Sequence, residues 1–99
     1  MSEVEVQNGN SDFPFEEQQV GINLFVRTFS PETDPFEFVW HRDREDRILD
    51  VLEGGGWRFQ FENQIPFLME NSDKIFIPTG EYHRVIPGNS YLEILVEKL

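Results

Sequence analysis

Period-two alternation is the feature that most constrains this chain. In "WRFQFE", Trp57, Phe59 and Phe61 fall on one side of an extended backbone and Arg58, Gln60 and Glu62 on the other. That is the pattern of a half-buried strand. The same reading applies to "INLFVRTFS" (22–30), "FEFVWH" (36–41), "RILDVLE" (47–53), "IPFLME", "KIFIP", "HRVI" and "YLEILVE". Between these runs stand breakers: Ser30-Pro31 leading into "PETDP", then Gly54-Gly55-Gly56, "NSDK", "PTGEY" and "PGNS". Gly and Pro there stop one strand and turn the chain toward the next. No segment keeps a helical period beyond two turns, and no internal repeat is present. Many short strands with such turns predict one all-β domain, an antiparallel sandwich or barrel.

Ninety-nine residues suffice for a single modest core. Ten phenylalanines and two tryptophans supply bulky material for it. Cysteine is absent, which excludes disulfides, thiolate metal sites and a Cys nucleophile. With neither a leader-like opening nor an apolar run long enough to span a bilayer, the expectation is a soluble, cytoplasmic protein. A net charge of −11 argues against nucleic acid and anionic membranes as partners. Part of that charge is local: residues 1–19 hold Glu3, Glu5, Asp12, Glu16 and Glu17 and no basic residue. They read as an acidic, partly flexible arm before a barrel domain at 20–99. Gly54 to Gly56 precede no helix, so a phosphate-cradling loop is a weak reading. Neither histidine sits beside a serine in a nucleophile-elbow pattern.

A barrel of this size gathers inward side chains at its mouth, where a small molecule can bind. Alternation puts His41, Asp43 and Arg47 on one face, and His83 with Val85 on a face of its own strand. Two segments then resemble the paired motifs of the cupin superfamily: "HRDREDRILDVLEG" (41–54) and "SDKIFIPTGEYH" (72–83). The first family motif runs Gly, five residues, His-x-His, three or four residues, Glu, six residues, Gly. The second runs Gly, five residues, Pro-x-Gly-x-x-His, three residues, Asn. Here Pro78, Gly80 and His83 are intact and Gly54 is in register. The resemblance spans Pro35 to Pro87 and implies an antiparallel double-stranded β-helix, a jelly-roll barrel, with a metal at its mouth. Pro35, Ser72 and Pro87 depart from the motif at turn positions. Asp43 stands in place of the second histidine, and Arg47 in place of the glutamate.

Two readings of that site stand side by side. In one, His41, Asp43 and His83 form a two-histidine, one-carboxylate face for a divalent metal such as Fe, Mn, Ni or Zn, and the protein is a metal-dependent enzyme acting on a small molecule. In the other, an inward Arg47 pairs with Asp43, no metal binds, and the pocket binds or senses a small anion without catalysis. A third has the cavity filled by side chains in a structural subunit. Asp46 would need a one-residue bulge to replace the missing glutamate, and Glu45 lies one step short. Tyr82 is a candidate at the ligand-binding rim or in the core. Phe36, Phe38 and Trp40 lie opposite His41 and form an outward stripe, which the N-terminal strand or a second subunit would cover. By resemblance, a homodimer is expected. The sequence leaves open which reading holds.

Overall fold

The computed structural model describes residues 15–32 and 39–99. Eight strands follow in order: β1 (Phe15–Gly21), β2 (Leu24–Phe29), β3 (Arg47–Glu53), β4 (Arg58–Phe61), β5 (Phe67–Leu68), β6 (Lys74–Ile77), β7 (His83–Ile86) and β8 (Leu92–Lys98). All the pairings are antiparallel. One sheet runs β1-β2-β8-β3-β6 and the other β5-β4-β7. No helix is present among the described residues, hence none long and apolar enough to cross a membrane.

The alternation explains why these segments are strands. On β3, Arg47, Leu49 and Val51 are buried while Ile48 and Asp50 are half-buried. On β8 the inward set is Leu92, Ile94 and Val96. Ile75 and Ile77 continue this face on β6, and Arg27 and Phe29 on β2. Trp57, Phe59 and Met69 close over them from the second sheet's side of the core. Trp57 is wholly buried, its ring centroid 5.6 Å from that of Phe29, and its Nε1–H donates to the Ser90 carbonyl at 2.6 Å. Burying each such side chain contributes roughly 1.5–3 kcal/mol. Gly54 serves close packing: a Cβ there would run into the Met69 carbonyl oxygen.

Two segments differ from what alternation alone predicts. β1 begins at Phe15, inside the stretch read as an acidic arm, and pairs with β2 through Phe15↔Phe29 and Glu17↔Arg27. Only the partner strand reveals this, because Glu16 and Glu17 by themselves look like solvated charge. Residues 1–14 lie outside the described residues. So do Phe36 and Phe38 of the aromatic stripe. Among the described residues of the segment "FEFVWH", His41 makes an isolated antiparallel bridge with His83.

Candidate metal centre

That bridge builds the site. The His41 amide donates to the His83 carbonyl at 3.0 Å, and the His83 amide returns to the His41 carbonyl at 2.9 Å. Directly opposed residues of an antiparallel pair carry their side chains on the same face. The two imidazoles accordingly meet edge to face, with centroids 4.3 Å apart. The His83 ring also stacks on Phe59, at 5.5 Å and 13° between planes, which fixes its tilt.

Each ring is oriented by its own chain. His83 Nδ1 lies 2.8 Å from the Glu81 carbonyl and His41 Nδ1 lies 3.2 Å from the Val39 carbonyl, both two residues upstream. A carbonyl only accepts, so each Nδ1 donates, and a ring with a single proton then has its lone pair on Nε2. Burial pushes the His83 imidazole down to about 4, helped by His41 and by the charges of Arg47 and Arg27, against the opposing hydrogen bond to Glu81. At neutral pH His83 is therefore uncharged.

Asp43 completes the group. One ligand atom from each of His41, Asp43 and His83 lies within 4.8 Å of the others. Asp43 Oδ2 stands 3.4 Å from His83 Nε2, so the carboxyl faces a neutral imidazole and not an imidazolium. Among the described residues neither Asp43 oxygen receives a hydrogen bond, although the side chain is only 1% exposed. Burying an unsatisfied carboxylate is unfavourable by several kcal/mol or so unless a cation or donor compensates. A lone pair and a carboxylate facing each other present just the donor set that a divalent ion satisfies, so the residues fit a metal.

Arg47 is inward, as its parity predicts, with its side chain 4% exposed. Its Nε donates to Glu45 at 2.6 Å, whereas Nη1 remains 3.5 Å from Asp43. Arg47 is thus ion-paired with both Glu45 and Asp43, and Glu45 does not join the ligand group. Asp46 turns away as well, accepting from the Thr79 amide and hydroxyl, each at 2.7 Å. Tyr82 is exposed, with its ring under the Arg42 guanidinium at 5.2 Å. Trp40 lies similarly beneath Arg84, at 4.7 Å. The reading from sequence passed over Arg27, whose parity with Phe25 and Phe29 carried the signal. Its partner Glu17 was hidden in the apparent arm.

No family model and no curated protein matches this sequence. Solved structures do match. An RmlC-like cupin family protein with a double-stranded β-helix fold from Methanocaldococcus jannaschii is 15% identical, with 99% of this chain and 87% of that one covered at a TM-score of 0.67. FeII HppE is 13% identical at a TM-score of 0.71, covering 87% of this chain. A structure of the DMSP lyases RdDddP and RnDddQII is 20% identical at 0.63, covering 74%. The chain spans 51% of the FeII HppE chain and 35% of the lyase chain. With two antiparallel sheets, paired motifs meeting at one bridge and these structural neighbours, the chain has the cupin fold, the double-stranded β-helix.

Proposed function

We propose that His41, Asp43 and His83 hold one divalent transition metal, and that the protein is a metal-dependent enzyme acting on a small molecule. The observation that carries this reading is the buried Asp43 carboxylate facing a bare imidazole nitrogen with no hydrogen-bond donor between them. Two imidazoles and one carboxylate suit Fe(II), Mn(II), Ni(II) or Zn(II) and leave coordination positions for substrate. FeII HppE, a neighbour in fold, is named with ferrous iron, which supports including that ion. When bound, the metal would act as a Lewis acid that orients and polarises a substrate oxygen.

The chain's own residues do the rest. The Glu81 and Val39 carbonyls hold the two Nδ1 protons and so aim both Nε2 atoms. Phe59 shields one face of His83 from water. Glu45 shares the Arg47 guanidinium with Asp43, through a 2.6 Å bond to Nε. Elemental analysis of the purified protein beside His83→Ala tests the reading. The expected result is about one metal per chain in the parent and none in the variant. A parent that stays metal-free after incubation with Fe(II), Mn(II), Ni(II) and Zn(II) overturns it.

A second reading rests on the buried Arg47 guanidinium, 3.5 Å from Asp43. On that reading the metal-free protein binds a small organic anion, and Arg47→Ala abolishes binding. Titrating the chelator-treated protein with carboxylates separates the two.

A further inference from the structure

The row that carries the two histidines continues onto β4. Phe61 pairs with His83, and His83 bridges His41, so the three side chains stand side by side on the inner face of the barrel. Phe59, two residues earlier on β4, shares that face. It stacks on His83 at 5.5 Å and meets Phe61 edge to face at 5.0 Å. On the far side of β4, Phe67 of the edge strand β5 pairs with Phe59, their ring centroids 5.7 Å apart. Ring contacts therefore run without a gap from the candidate centre to the edge of the sheet. The rings are not equally sealed: Phe59 is 1% exposed and belongs to the core, while Phe61 is half-buried and Phe67 is 39% exposed.

An inner-face ring such as Phe61 stays open to water only where side chains do not fill the barrel. Phe61 is the last residue of β4 and His83 the first of β7, so that place lies where both strands give way to turns, beside the ligand atoms of His41, Asp43 and His83. Directly opposed residues of such a ladder have Cβ atoms about 4.5–5.5 Å apart, so a ligand held at the centre reaches Phe61 within a few bonds. Covering this wall with carbon removes apolar surface from water, and a ligand ring also gains the edge-to-face or offset contact that aromatic pairs prefer. We propose that Phe61, with Phe67 beyond it, is the specificity-determining wall of the site, and that its substrates are small molecules carrying an aryl ring a few bonds from the oxygen that the metal takes. This rests on the metal reading above and names its substrate class.

The test uses the full chain loaded with Co(II) and two probes with the same metal-binding group, benzohydroxamate and acetohydroxamate, read by visible absorption of the cobalt. The quantity compared is the preference for the aryl probe, the ratio of the two affinities, because the intrinsic affinity of each hydroxamate for cobalt cancels between parent and variant. Phe61→Ala should lower that preference by about tenfold while leaving acetohydroxamate affinity unchanged. Phe67→Ala should lower it by a smaller factor. Phe61→Leu keeps apolar volume without the flat ring and should give an intermediate preference, which serves should Phe61→Ala fail to fold. A preference that ignores the Phe61 variants, or equal weakening of both probes, overturns the inference while leaving the metal reading intact. A parent that takes up no cobalt overturns the metal reading and this inference with it.

Discussion

Ser72 holds φ 77° at the position where the cupin motif that the sequence resembles has glycine. A non-glycine residue in the left-handed region costs about 1–2 kcal/mol from its Cβ. Its amide keeps the turn closed by donating to the Val51 carbonyl at 2.8 Å, a bond that does not depend on the side chain. Ser72→Gly should therefore raise stability by about 0.5–1 kcal/mol, the strain relieved less the added chain entropy of glycine, as read by urea midpoint. His83 makes the opposite kind of statement. Its imidazole is held at about 4, below its ordinary 6.5, so the unfolded chain takes up a proton that the folded one refuses. Stability of the metal-free protein should fall as pH drops from about 6.5 to about 4, by up to about 3 kcal/mol, and no further from this group below that. Denaturant midpoints across that window, compared with those of His83→Gln, measure the effect.

At the scale of elements, the loop at 42–46 decides whether Asp43 stands beside His83. It is stitched to the turn before β7 by the Gly80 amide on the Asp43 carbonyl at 3.0 Å and by the two Thr79 donors on Asp46. The chain terminus adds a third tie, the Leu99 amide donating to the Asp46 carbonyl at 2.9 Å. The Thr79 bonds hold the Asp46 carboxyl below the usual carboxylate range. This support is present above that range and is lost as pH falls through the folded value. Asp46→Ala should speed amide exchange at Thr79 and Gly80 in the metal-free protein and weaken metal uptake by about tenfold, as losing an outer support does. Asp46→Asn keeps an acceptor oxygen and should restore most of both. The motif's Pro-x-Gly-x-x-His was readable in sequence; its clasp to Asp46 was not, because Asp46 and Thr79 are 33 residues apart and share no periodicity.

For the whole molecule, Trp57 ties the two sheets into one core. Trp57→Ala should cost about 3–5 kcal/mol, a large share of the roughly 5–15 kcal/mol that holds a domain of this size. Trp57→Phe keeps an aromatic ring but leaves the Ser90 carbonyl without its donor, and should cost about 1–3 kcal/mol. Urea unfolding followed by circular dichroism measures both.

Alternation alone determined the class of fold, because a two-residue period with one buried face permits strands and forbids helices. It also placed Arg47 inside, and the paired motifs placed His41 and His83 together. Tertiary structure alone decided the rest. That Arg47 pairs with both Asp43 and Glu45 depends on the bend at 44–45, which a parity rule does not describe. That Glu17 belongs to the barrel, opposite Arg27, depends on a register between strands. Side-chain facing is local and repeats along the chain; the partners of a buried charge are set by strands that meet only when the sheet closes.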